Sequence, residues 1–165
     1  MIAILYSKMR EGVVMNPAIQ DLYPESHSHC FGCGRSNRDG WHLKSFVQGD
    51  QTLAHFTPDS KYSGGVPGHL YGGAVASLLD CHGTASAAAF SYLQKHETLK
   101  SDAKIQRHVT GQLNIKYITP TPMGVELELR GELLSIDGRK VRVKLTLSAN
   151  ETLCAEAEMV AFGVE

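Results

Sequence analysis

The chain holds 165 residues, enough for one domain with a sizeable core and too few for two of ordinary size. Sixteen Lys and Arg stand against seventeen Asp and Glu, a formal net charge of -1, which leaves no basic footprint for nucleic acid and no polybasic anchor for a membrane surface. No run approaches the roughly 20 apolar residues that span a bilayer, and Met1 to Leu5 is too short for the apolar region of a signal peptide.

A soluble, cytoplasmic protein is therefore expected. Four cysteines, Cys30, Cys33, Cys81 and Cys154, show no disulfide framework and suit a reducing compartment. Residues 1–25 mix short apolar stretches with Pro17 and Pro24 and read as an N-terminal extension with at most a short helix packed on a domain of residues 26–165. Leu43 to Val47 and Thr52 to Thr57 read as two short strands joined by a turn at Gln48-Gly49-Asp50.

Ser63-Gly64-Gly65-Val66-Pro67-Gly68 is too rich in Gly and Pro for regular structure, and a long helix is predicted after it, from Gly72 to about Lys95. At 100° per residue Val75, Leu78, Leu79, His82, Ala85, Ser86, Ala89, Phe90 and Leu93 share one side, the predicted core stripe. Gly73, Ser77, Asp80, Thr84 and Ala87 share the other, left open for another use.

Beyond residue 105 the period switches to two. Leu113, Ile115 and Tyr117 alternate with Gln112, Asn114 and Lys116, and three further strands follow over Val125 to Arg130, Val141 to Ser148 and Leu153 to Met159. Asp137-Gly138 is a tight-hairpin signal and Ala149-Asn150-Glu151 a second turn, so the late strands are expected to form an antiparallel meander. The fold class is α+β, an antiparallel sheet whose one apolar face wraps a long helix.

The stretch from Pro67 to Asp80 carries the most chemical information. Gly72 and Gly73 at a helix start permit close backbone approach, and first-turn N–H groups lack internal partners, so they can stabilise a developing oxyanion. Asp80 follows seven residues after Gly73 on the same stripe. The plainer reading is that the glycines serve packing and Asp80 is solvated, since a Gly-Gly pair alone is a weak motif.

The wider pattern resembles the hotdog-fold thioesterases, in particular the branch of human thioesterase superfamily members 4 and 5 and the phenylacetate-pathway thioesterases. It rests on Cys30-Phe31-Gly32-Cys33-Gly34 with Asn37 and Gly40, on Gly72-Gly73 with Asp80, on Thr110 to Tyr117, on Pro120-Thr121-Pro122 and on Asp137-Gly138-Arg139-Lys140. The resemblance implies a hotdog fold assembled as a dimer or dimer of dimers, with active sites between protomers. It further implies that Asp80 orients and deprotonates water or attacks the thioester, that Gly73, helped by Gly72, supplies the oxyanion N–H, and that Thr110 holds the water or the carboxylate. Parity with Gln112 and Asn114 places Thr110 on the non-core face.

One position departs from the family pattern, because Tyr71 stands where a histidine normally precedes Gly-Gly. Tyr71 could donate toward the thioester carbonyl or pack on the acyl chain, and His69 could partly replace the imidazole; each has the alternative of a locally satisfied loop residue. His82, on the apolar stripe, reads as a neutral core histidine. Cys30-x-x-Cys33, preceded by His27 and His29, has a metal-like look, but no second Cys-x-x-Cys follows, so buried thiols and no metal are expected. Arg139, Lys140 and Lys116 could meet coenzyme A phosphates or simply be solvated.

Thioester hydrolysis needs an oxyanion donor, a carboxylate and an apolar groove, and no redox or metal cofactor. An acyl-CoA thioesterase is the expectation. The rivals are an acyl-thioester hydratase or dehydratase, which the loss of the histidine weakens, and a non-catalytic acyl-CoA-binding protein.

Overall fold

The computed structural model describes residues 16–164, so most of the N-terminal extension lies outside the described residues. What is described of it forms two 3-10 turns, Ile19–Leu22 and Glu25–His27. Ile19, Leu22 and Tyr23 are buried against the helix residues Ala85, Ala88 and Ala89 and against Leu99 and Ile105.

Six strands and one long helix follow: β1 (Ser45–Gln48), β2 (Gln51–Phe56), α1 (Gly72–Leu93), β3 (His108–Tyr117), β4 (Leu127–Asp137), β5 (Lys140–Ala149) and β6 (Thr152–Gly163). Glycine or asparagine opens each tight turn, and only Glu151 is held at a positive φ that its residue type does not favour. Gly49 and Gly138 sit at φ 63° and 57°, and Asn150 and Glu151 both have positive φ between the paired Ala149 and Thr152, as a primed hairpin turn requires.

The strands form one antiparallel sheet in the order β1-β2-β4-β5-β6-β3. Strands β4, β5 and β6 make the predicted meander, but β3 does not join it through β4. It crosses to the far edge and pairs with β6. Alternation along one strand reports which face is buried and not which neighbour it finds, which is why the sequence left this pairing unspecified.

Val141, Val143, Leu145 and Leu147 of β5, with Leu127 and Leu129 of β4 and Met159 and Ala161 of β6, are fully buried beneath α1. Gly83 and Gly131 mark close approaches of helix and sheet, because a Cβ at Gly83 would run into Met159 and Leu145 and one at Gly131 into Ser86. The sheet thus wraps the helix in the hotdog arrangement. Among the described residues no helix is long and apolar enough to cross a membrane.

The predicted open stripe of the helix holds only in its first half. Ser77 is exposed and Asp80 half-buried, but Thr84 and Ala87 are buried, because the sheet and the Ile19–Tyr23 segment together enclose the second half.

His82 lies in the core and accepts or donates at both ring nitrogens, with Ser45 Oγ 2.9 Å from Nδ1 and Thr52 Oγ1 3.4 Å from Nε2. Gln20 donates to Ser45 Oγ, and Thr52 bonds Ser86 at 2.6 Å. A buried polar chain therefore runs from the N-terminal segment through β1, α1 and β2. Burial pushes the His82 imidazole down to about 3, so it is neutral, as the apolar stripe implies.

Candidate active site

The loop before α1 is held by backbone bonds from Leu70 N–H to Thr121 O at 2.8 Å and from Tyr71 N–H to Tyr62 O at 2.9 Å. Tyr71 is the N-cap residue, and its side chain does not cap the helix. Its carbonyl accepts from Ala74 and Val75, which leaves the N–H groups of Gly72 and Gly73 without a backbone acceptor among the described residues.

Two tyrosines frame those groups. Tyr117 at the end of β3 donates its hydroxyl to Gly72 O at 2.8 Å. The ring of Tyr71, itself 58% exposed, lies so close over Gly73 that any Cβ at that position would overlap it. Glycine at 73 is thus needed for Tyr71 to lie where it does.

Asp80 is half-buried on the wall of an open groove of about 400 Å³, lined by Cys30, Phe31, Ala76, Ser77, Cys81 and Leu113 among others. Thr110 donates its hydroxyl to Asp80 Oδ1 at 2.5 Å. This contact corrects the expected face of Thr110. The β3–β6 register slips between Thr110 and Gln112, with Gly111 as the extra residue of a bulge. Thr110 therefore pairs with the buried Ala161 and shares the helix-facing side with Leu113, whereas Gln112 pairs with Val160 on the outer side. Simple parity put Thr110 on the wrong face because it counted Gly111 as a regular strand residue.

Asp80 lies seven residues beyond Gly73 on a continuous helix, which is about 10 Å along the axis. The carboxylate and the free N–H groups thus belong to one face but stand two turns apart.

The other sequence-predicted residues are scattered. His69 bonds its ring nitrogen to the Pro67 carbonyl at 3.2 Å, a locally satisfied loop histidine. Lys116 pairs with Glu156 at 3.3 Å on the outer face. Lys140 is opposite Phe162, which is opposite Val109, so Arg139 and Lys140 lie two strands, about 10 Å, from the Thr110 end of β3. Another cavity, of about 470 Å³, is lined by Phe90, Leu93, Leu133 and Ile136 among others, about 15 Å along the helix from Asp80, and is separate from this site.

Two participants escaped the sequence reading. Tyr117 was visible as a core-parity strand residue, and that parity is the signal that turns it toward the helix start. Cys81, next to Asp80, is brought beside Cys30 and Cys33, and these three sulfurs all lie within 4.8 Å of one another.

Comparison with known proteins finds relatives of this chain. The rat (Rattus norvegicus) protein named acyl-coenzyme A thioesterase THEM4 is 29% identical over 101 residues, which is 61% of this chain and only 37% of that protein's length. The crystal structure of a thioesterase superfamily protein from Shewanella loihica PV-4 is 42% identical, covering 86% of this chain and 98% of that one, with a TM-score of 0.64. A hypothetical thioesterase protein from Streptococcus pneumoniae TIGR4, solved with coenzyme A, shares the fold at 13% identity and a TM-score of 0.58, over 72% of this chain and 84% of that one. The thioesterase superfamily model matches residues 67–156, which take in the helix start, Asp80, the Gly111 bulge and the meander as far as β6. That stretch exceeds half of the sequence, and the chain belongs to the thioesterase superfamily.

Proposed function

We propose that this chain hydrolyses acyl-CoA thioesters, with Asp80 as the catalytic carboxylate and the Gly73 N–H, assisted by Gly72, as the oxyanion donor. The observation that carries the reading is the Thr110 hydroxyl on Asp80 Oδ1. It fixes one oxygen of a carboxylate that lines the groove. The name of the rat relative and the coenzyme A bound by the Streptococcus protein support the substrate class.

In the reaction, a water oxygen attacks the thioester carbonyl carbon as Asp80 takes its proton, or Asp80 itself attacks and water later releases the acid. The carbonyl oxygen gains negative charge, which an N–H with no other acceptor stabilises without reorganisation. The carbon–sulfur bond then breaks and the departing thiolate of coenzyme A is protonated. No redox or metal group takes part in these steps. Arg139 and Lys140 are the proposed phosphate contacts, and Tyr71, lying over Gly73, would move aside or donate to the carbonyl as substrate enters.

The 10 Å between Gly73 and Asp80 supports an assembly in which each site takes its N–H from one protomer and its carboxylate from another. Strand β3 lies at the sheet edge, and Val109, Tyr117 and Ile118 expose apolar surface beside it, which suits a dimer or a dimer of dimers. A cytoplasmic setting fits four free cysteines.

The test is thiol release from short, medium, long and aromatic acyl-CoAs by the native protein and by Asp80→Asn. The expected result is turnover that falls by about 100-fold or more in the variant. Undiminished turnover in Asp80→Asn would remove Asp80 from the mechanism, and no turnover by the native protein would leave acyl-CoA binding as the function. In a single turnover in oxygen-18 water, label in the Asp80 carboxylate identifies direct attack, because only an anhydride opened by water at the Asp80 carbon can place it there.

A further inference from the structure

The three cysteines beside Asp80 are not used by the proposed hydrolysis, and their arrangement has its own chemistry. Cys30 and Cys33 lie in a tight loop closed by Gly34 N–H donating to Cys30 O at 2.7 Å. Two glycines make the loop possible. A Cβ at Gly32 would overlap the Cys81 sulfur, and one at Gly34 would overlap backbone atoms of Ser28 and Cys30. Cys81, one residue past Asp80 on α1, completes the group from the opposite side.

The spacing fits an ion better than a covalent bond. Cys30 Sγ and Cys81 Sγ are 3.7 Å apart, far beyond the roughly 2.05 Å of a disulfide. Zinc–thiolate bonds of about 2.3 Å at tetrahedral angles place sulfurs about 3.8 Å apart. The surroundings also supply charge. Arg107 Nη1 lies 3.8 Å from Cys33 Sγ, so three thiolates would be balanced by one divalent cation together with one guanidinium. A monovalent ion would leave net negative charge among buried groups, since Cys33 and Cys81 are 0% and 4% exposed.

Cys30 is half-buried and, like Cys81, forms part of the groove wall, which gives an ion a path in and a solvent ligand for its fourth position.

We propose that Cys30, Cys33 and Cys81 bind one thiophilic divalent cation, zinc above all, as a structural clip between the Cys30–Gly34 loop and helix α1. Soft thiolate donors exclude magnesium and calcium and select zinc among common divalent ions. The sequence alone gave no such site, because the ligand that completes Cys-x-x-Cys is a single cysteine far along the chain rather than a second pair. The clip stands apart from hydrolysis and holds whether or not acyl-CoA is the substrate.

The experiment takes the full chain, reduced and freed of metal, and titrates it with zinc chloride and separately with cobalt(II). Expected are one ion per chain by elemental analysis, a sulfur-to-cobalt charge-transfer band with tetrahedral visible bands, and a higher unfolding temperature with zinc than with chelator. Cys81→Ser should lose the ion and its stabilisation, while Cys154→Ser should keep both. The cobalt spectrum of the unsubstituted chain reads thiolate ligation even if a variant folds poorly. A reduced chain with all its thiols titratable that binds neither ion would overturn the site, as would retention of full affinity in a folded Cys81→Ser. A Cys30–Cys81 disulfide in a chain that takes up no metal after reduction would show a redox pair instead, and would equally overturn it.

Discussion

Thr110 contributes a single hydroxyl, and its worth can be bounded. A hydrogen bond to a charged group contributes about 1.5 kcal/mol or more, so Thr110→Val should lower kcat roughly 10-fold or more with little change in KM. Thr110→Ser should retain most of the activity, and steady-state kinetics on the best acyl-CoA decide both. Gly73 and Tyr71 are coupled by contact, since the Tyr71 ring occupies the space of a Gly73 Cβ. Gly73→Ala should therefore cost more activity in the native chain than in a Tyr71→Ala background, and a double-mutant cycle measures the difference. Additive effects would show that the ring does not lie over Gly73 in solution. At this scale the sequence names candidates where residue type limits chemistry, as at Asp80 and Gly73. It was silent where contact depends on a fold-wide approach, as between Tyr117 and Gly72 or between Cys81 and Cys30.

The elements were legible in type and the helix nearly so in length, but β4 and β6 run to Asp137 and Gly163, well past the expected Arg130 and Met159. Helix α1 was predicted from Gly72 to about Lys95 and runs to Leu93, because the Gly-rich loop and the apolar stripe mark it locally. The Gly111 bulge was not legible, since one extra residue in an alternating strand leaves each side of the slip looking regular. Yet the bulge decides the site, because it turns Thr110 toward Asp80. Deleting Gly111 should impair turnover at least as much as Thr110→Val, by the same kinetic measurement.

The polar chain through His82 ties β1, β2 and α1 together, and its pH dependence has a definite sign. The folded imidazole titrates near 3 and an exposed one near 6.5. Above about pH 6.5 neither state is protonated and its stabilisation is full. As pH falls from 6.5 toward 3 the unfolded chain takes up a proton that the folded one refuses, and stability drops, by roughly 4 kcal/mol over the whole window. Urea unfolding midpoints should fall less steeply with acid in His82→Gln than in the native chain, other carboxylates being common to both.

For the whole molecule, sequence defined a single α+β domain of helix and sheet but not the strand order, because the long connections around α1 permit β3 to dock at either end. The proposed sharing of sites between protomers predicts a solution mass of at least twice 18.0 kDa by light scattering. It also predicts that mixing and re-annealing Asp80→Asn with Gly73→Ala chains regenerates some native sites. A monomer that turns over acyl-CoA would refute the shared site.

The placement of β3 at the sheet edge also sets an order of events during biosynthesis. Its strand partner within the described residues is β6, the last of the six strands to be translated. While β6 is still missing, the segment that carries Thr110 has no ladder to join, and long-range pairing of this kind forms slowly. Asp80 and its helix can be in place on a nascent chain well before the hydroxyl that orients the carboxylate arrives. Turnover should then appear only once β6 has left the ribosome, later than the burial of the helix against β4 and β5, so that activity reports the closing of the sheet edge on which the shared sites are built.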